Sequence, residues 1–257
     1  MQEEVWKTDP EWFRPWFNSE AYHILYGHRS EAEAHQLVER LCRSEELSTP
    51  AKALDAGCGA GRHARALAKA GWDVTAFDLS DASIALAQSQ DSSNHLTYRV
   101  LDLRELHQLE EWQEQFDLVT NFFTSLGYFR TRLEQQNVLK GFAQCMKPGG
   151  WLLIDYLNVD HVRSNLIAEE LLERRGMTFH IHRRVHQGWI EKSIQFEWEG
   201  EWNHHVESVQ ALHRKDFERL LANQGLEIHR VWGNYHLEGW SEESPRCLLL
   251  AQKPHHS

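Results

Sequence analysis

The chain has 257 residues, a formal net charge of -11, and 41% hydrophobic against 25% charged residues. That length suffices to bury a full core in one large domain, or in one domain with an appendage. Acidic residues outnumber basic ones by 38 to 27, and no Lys/Arg run is long enough to follow a phosphate backbone, so nucleic acid is not expected as the main partner.

Cys42, Cys58, Cys145 and Cys247 are widely spaced and form no CxxC pair, as expected of free thiols in a reducing cytosol. The start MQEEVWKTDP has neither the basic region nor the apolar run of a signal peptide. No apolar run approaches the roughly 18 residues a membrane span requires. These features predict a cytoplasmic protein without a membrane segment. The composition is unusual in its 11 Trp and 17 His, gathered near the start and in the stretch from 177 to 213.

In chain order, residues 9–44 read as helical. Trp12, Phe13, Trp16 and Phe17 recur at i, i+3, i+4 and predict one apolar face. Ser30 with Glu33 resembles a capping box that opens a further helix through Leu37, Val38 and Leu41. From Ala51, short apolar strands alternate with helices: AKALDAG, then RHARALAKAG closed by Gly71; WDVTAFD, then DASIALAQSQ opening after Ser80. LTYRVLD and FDLVTNFF follow as strands, LEQQNVLKGFAQCMK as a helix before a Pro148-Gly149-Gly150 turn, and WLLIDYLN as a fifth strand. Such alternation implies a mostly parallel sheet with helices on both faces.

The pattern breaks after Asn158. Three alternating strands are predicted in an antiparallel insertion at about 168–212, with tight turns at Gly188 and Gly200. RKDFERLLANQG then reads as a helix, and LEIHRVWG and PRCLLLAQK as two final strands.

The strongest chemical signal is LDAGCGAGRH at residues 54–63, placed between a strand and a helix. Gly57, Gly59 and Gly61 permit a sharp turn and close backbone approach to a ligand, and the helix start that follows favours an anionic group. Asp78 ends the second strand about 20 residues on, where a carboxylate can accept from ribose hydroxyls. Asp102 ends the third strand, or caps the turn that follows it, and Asn121 ends the fourth. In an open parallel sheet such strand ends line one crevice. The spacing is GxGxG, distinct from GxGxxG, and no GxxxxGK[ST] loop is present.

LDAGCGAGRH, VTAFDLS, VLDL, FDLVTNFF and KPGGWLLID resemble the successive motifs of class I S-adenosylmethionine-dependent methyltransferases. WFNSEAYHILYGHRSEAEA, NFFTSLGYF and the ending WGNYHLEGWSEESPRCLLLAQK are similar to bacterial small-molecule methyltransferases. The resemblance spans nearly the whole chain. It implies a Rossmann-like α/β fold with a seven-stranded, mostly parallel sheet, an antiparallel last strand, a helical cap over 1–48, and an S-adenosyl-L-methionine-binding domain over 49–257 with the β insertion. It further implies that Gly57 and Gly59 face the methionine part of the cofactor, Asp78 the ribose, and Asp102 with Leu103 the adenine, with Leu79 also among the cofactor-binding residues. Asn121 and Phe122 would border the sulfonium, and Arg29, Tyr26 or Tyr22 would close over the methionine carboxylate.

A small-molecule methyl acceptor is the expected substrate, with RNA or protein methylation and a non-catalytic cofactor-binding module as alternatives, and a homodimer is possible. Tyr22, Tyr26, His28 and Tyr128 are candidate bases that no spacing separates, so no catalytic base is assigned. His180, His182, His186, His204 and His205 invite a metal reading, but no carboxylate or cysteine stands at ligand spacing; half-exposed sheet positions are the default for them. Trp189, Trp198 and Trp202 could line a pocket, bury a subunit contact, or pack on the parent domain.

Overall fold

The computed structural model describes residues 6, 8–27, 30–91 and 93–255. Three helices come first: α1 (Phe13–Phe17), α2 (Glu20–Tyr26) and α3 (Glu31–Cys42). Trp12, Phe13 and Trp16 are buried, as the aromatic spacing predicts, and the Ser19 and Ser30 hydroxyls cap α2 and α3. Each cap satisfies a backbone N–H that has no partner within the first turn of its helix.

The main sheet contains β1 (Lys52–Ala56), β2 (Asp73–Asp78), β3 (Leu96–Val100), β4 (Phe116–Asn121), β5 (Met146–Leu157), β10 (Glu227–Trp232) and β11 (Arg246–Gln252). Its order is β10-β11-β5-β4-β1-β2-β3, and β11 runs antiparallel to both β5 and β10. Helices α4 (Arg62–Lys69), α5 (Asp81–Ser89) and α6 (Arg132–Cys145) make the crossovers between the parallel strands. β1, β4 and β11 are buried along nearly their whole length, because helices cover both faces of the sheet. This is the mostly parallel seven-stranded fold with a reversed last strand that the motifs imply.

Between α7 (Val159–Ser164) and α8 (Arg214–Ala222) lies a second sheet of four antiparallel strands, one more than the sequence predicts. They are β6 (Glu169–Arg174), β7 (Met177–His186), β8 (Trp189–Trp198) and β9 (Glu201–Gln210), in sequential order. The unpredicted strand is β6, whose EELLER composition favours a helix; pairing with β7 overrides that propensity. The three hairpins turn at Arg175-Gly176, Gln187-Gly188 and Glu199-Gly200, with positive φ at both residues of each pair. That is the type I′ geometry, whose twist matches the flanking strands and which glycine adopts without strain.

Two further corrections concern β5. It begins at Met146, so α6 stops two residues earlier than predicted, and Pro148-Gly149-Gly150 forms an irregular stretch of the strand itself. The register against β4 jumps from Phe116–Met146 to Leu118–Trp151, which absorbs the extra residues as a bulge.

Candidate active site

The carboxyl ends of β1, β2 and β4 open onto a cavity of about 330 Å³. Its floor is the turn after β1. Gly57 and Cys58 donate their N–H groups to the Phe77 carbonyl at 2.9 Å, which ties the turn to β2. A Cβ on Gly57 would meet the Ser125 hydroxyl at 2.9 Å, whereas one on Gly59 would meet nothing within 4 Å. The first glycine is therefore needed for packing, and the second presents bare backbone to open space.

Asp78 holds this turn from β2. Its Oδ2 accepts the Gly59 N–H at 2.8 Å and its Oδ1 accepts the Ser80 N–H at 2.9 Å. Protein surrounds the carboxyl except where it meets the cavity, and that desolvation raises its pKa despite the two N–H donors. Asp55, one strand position before the turn, also lines the cavity. Its Oδ1 accepts from the Thr120 hydroxyl at 2.9 Å, while its Oδ2 is buried and has no partner among the described residues. Burial first, and the charge of Asp78 to a smaller degree, push Asp55 up to about 7.

The walls and roof are aromatic. Phe122 stacks on His63 at 3.9 Å between centroids, and the guanidinium of Arg62 lies 4.4 Å from the Phe123 ring centre. Phe17, Tyr22, Tyr26 and Tyr128 close the cavity from the side of the helical cap. Tyr22 packs within 4.9 Å of both Phe17 and Tyr26. The Tyr26 hydroxyl contacts both carboxylate oxygens of Glu207 at 2.8 Å and accepts from Lys192 Nζ at 2.6 Å. Trp16 Nε1 donates to the same Glu207 at 2.7 Å. The cap is thereby fastened to the second sheet directly over the crevice. Arg175, from the β6–β7 turn, reaches the cavity mouth beside Gly27.

Of the residues singled out from the sequence, Gly57, Gly59, Asp78, Phe122, Tyr22, Tyr26 and Tyr128 line this cavity. Leu79, Asp102 and Leu103 line a smaller pocket of about 40 Å³ that shares Gly57 and Asp78 with it. Asp102 accepts from Arg14 at 2.6 Å and from Arg104 at 2.7 Å, and its Oδ1 caps the following turn through the Arg104 N–H at 2.9 Å. Asp102 thus caps the turn and also borders the smaller pocket. Asn121 faces neither pocket: its amide donates to the Ala56 carbonyl at 2.7 Å and pins the end of β4 to β1. Arg29 and His28 lie outside the described residues.

The sequence reading did not single out Asp55, Arg62, His63, Phe123, Ser125 or Arg175. Asp55 lies within LDAGCGAGRH, and its place at the end of a buried strand is the signal that points to it. Three histidines of the insertion find other partners. His180 packs on Trp202, His204 Nε2 lies 2.9 Å from the Ser193 hydroxyl, and His205 stacks on Trp16 at 4.5 Å. Among the described residues no group of three His, Cys, Asp or Glu side chains could hold a metal ion. No described helix is long and apolar enough to cross a membrane.

A glycine turn and two carboxylates at the carboxyl edge of this sheet, under a helical cap, define a class I methyltransferase architecture. Residues 26–231 match the model of the methyltransferase-domain family, and the chain belongs to that family. It is an S-adenosyl-L-methionine-dependent methyltransferase. YqeM of Bacillus subtilis (strain 168), named only provisionally as a methyltransferase, is 26% identical over 234 residues, covering 87% of this chain and 93% of that one. The CcbJ methyltransferase of Streptomyces caelestis shares the fold with a TM-score of 0.76 at 13% identity, over 93% of this chain and 98% of that one. CalS10, an amino pentose methyltransferase of Micromonospora echinaspora, does so with a TM-score of 0.67 at 20% identity, over 91% and 97%.

Proposed function

We propose that the protein methylates a small-molecule acceptor in the capped cavity, by in-line displacement. The observation that carries this reading is the roof: α1, α2 and the second sheet are joined beside the strand ends through Trp16, Tyr26, Lys192 and Glu207, next to a cavity of about 330 Å³. A cavity of that size, shared between cofactor and acceptor beneath the cap, suits a compact acceptor better than a folded macromolecule. The acidic balance of the chain points the same way. The names of its fold relatives, among them an amino pentose methyltransferase, are consistent with it.

The residues present fit the cofactor. The open backbone at Gly59 can receive the methionine end, and the unpartnered Oδ2 of Asp55 is an acceptor for its ammonium group. Asp78, which lines the cavity, can accept from ribose hydroxyls beside its two N–H donors, and the smaller pocket at Leu79, Asp102 and Leu103 would take the adenine. S-adenosyl-L-methionine supplies, when bound, a methyl group already activated by a positively charged sulfur. The task left to the protein is to hold the accepting atom in line and near contact. Such positioning can supply on the order of 7–11 kcal/mol. Phe122, Phe123, Tyr22 and Tyr128 exclude water from that line.

Calorimetric titration with S-adenosylhomocysteine, on wild type and on Asp78→Ala, tests the cofactor assignment; undetectable binding to both at millimolar ligand removes it. Transfer of isotope-labelled methyl into a metabolite extract, against RNA and protein fractions, tests the acceptor class. Label entering only the macromolecules overturns the small-molecule reading.

A further inference from the structure

We infer that Asp155, Arg246 and Tyr235 form a positioning device that holds the loop after β4 in a strained, site-forming conformation. The loop is Phe122-Phe123-Thr124. Phe123 and Thr124 have φ of 61° and 77°, the left-handed region, and neither is glycine. For a β-branched threonine this is a genuine outlier, and consecutive residues in such a conformation need the surroundings to impose it.

The imposing groups are on β5 and on the last hairpin. The Phe123 N–H donates to Asp155 Oδ2 at 3.3 Å, and the Thr124 N–H donates to the Asp155 carbonyl at 3.1 Å. One residue thus receives both strained amides. The Asp155 side chain is fully buried and is fixed in turn. Arg246 on β11 donates to its Oδ1 through Nε at 2.8 Å and a terminal nitrogen at 2.6 Å. Tyr235, in the β10–β11 connection, donates to its Oδ2 at 2.8 Å. The Arg246 guanidinium also lies 5.3 Å from the Phe123 ring centre. Among the described residues, every donor to the carboxylate therefore belongs either to the strained loop or to the final hairpin.

The strain has a consequence for the cavity. With left-handed φ at 123 and 124, consecutive Phe122 and Phe123 both face the cavity, and Ser125 stands against Gly57. A relaxed, extended loop would send successive side chains to opposite sides and withdraw one of the rings. This inference rests on the cofactor assignment for its binding readout, and it has a second readout that does not.

The test uses the double variant Asp155→Asn/Arg246→Gln, which removes both charges of the pair together, because removing one alone leaves the other unpaired. Hydrogen exchange within 121–126 should quicken at the Phe123 amide, whose acceptor is the Asp155 side chain, with no ligand present. S-adenosylhomocysteine affinity, measured by calorimetry, should fall about fivefold or more, the low end for releasing such strain. Adding Thr124→Gly, which adopts the left-handed conformation freely, should bring affinity back to within about twofold of wild type. A merely structural role would not be rescued by a glycine in the loop. Unchanged exchange protection, or no rescue by Thr124→Gly, overturns the inference. Should the double variant fail to fold, Tyr235→Phe, which deletes one donor, must show the same loss and rescue at smaller amplitude, and absence of either overturns the inference equally. If wild type does not bind S-adenosylhomocysteine, the cofactor assignment fails, while the exchange measurement still decides the role of Asp155.

Discussion

The two sheets spend their side chains differently. In the seven-stranded sheet the strands are buried on both faces, and the polar groups that matter sit at the carboxyl ends, where Asp55 and Asp78 meet open space. In the four-stranded sheet burial alternates along β6 and β7, and the polar groups that matter, Lys192 and Glu207, lie mid-strand and face the cap. The first sheet makes a floor whose chemistry is directed outward. The second makes a roof whose chemistry is internal, spent on holding the cap in place. Substitutions in the two should therefore separate binding from stability.

The largest expected effect is on the roof. Trp16 is fully buried, stacks on His205 and donates to Glu207. Trp16→Ala should cost roughly 3–5 kcal/mol in urea denaturation, and hydrogen exchange should show the loss first in β8 and β9. Equal loss of protection across the seven-stranded sheet would erase the distinction between the regions. Next comes the floor. Asp78→Ala removes the acceptor for two backbone N–H groups of the ligand turn, and S-adenosylhomocysteine affinity should drop about 100-fold while the thermal midpoint moves far less than in Trp16→Ala.

A pH measurement sharpens the floor further. Asp55 has its folded pKa raised from 3.8 to about 7, so its contribution to stability is complete below the unfolded value and is lost as pH rises through about 7. Free protein should therefore become less stable across that interval, relative to Asp55→Asn. Binding runs the opposite way: an ammonium partner needs the ionised carboxylate, so wild-type affinity should weaken as pH falls below about 7. Asp55→Asn should flatten both curves; Asp78, raised in the same direction, leaves a residual slope. The smallest effect is expected on the outer face of the roof. Trp202 is 66% exposed, and Trp202→Ser should change unfolding free energy by less than about 0.5 kcal/mol.

The same division governs how much could be read from the chain. The floor is built from contiguous segments, strand then glycine turn then helix, so LDAGCGAGRH and the acidic end of β2 announce themselves in sequence. Asn121 shows the limit of that reading, because end-of-strand position does not say which way an amide points, and this one turns to Ala56. The roof is assembled from distant pieces. Tyr26 meets Lys192 and Glu207 across more than 160 residues, and no local spacing encodes such a meeting. β6 was hidden for another reason, since Glu-Glu-Leu-Leu-Glu-Arg becomes a strand only through its pairing with β7. In the sequence Asp155 reads as part of a strand and nothing more, because Arg246 and Tyr235 reach it from the final hairpin.

The place of β11 has a kinetic corollary. It lies between β5 and β10, yet it follows the entire second sheet and α8 in the chain. While the polypeptide emerges during translation, β5 must wait with one long apolar edge bare until Arg246–Gln252 has been made. A nascent chain halted before that point would expose the kind of unpaired border on which intermolecular association begins.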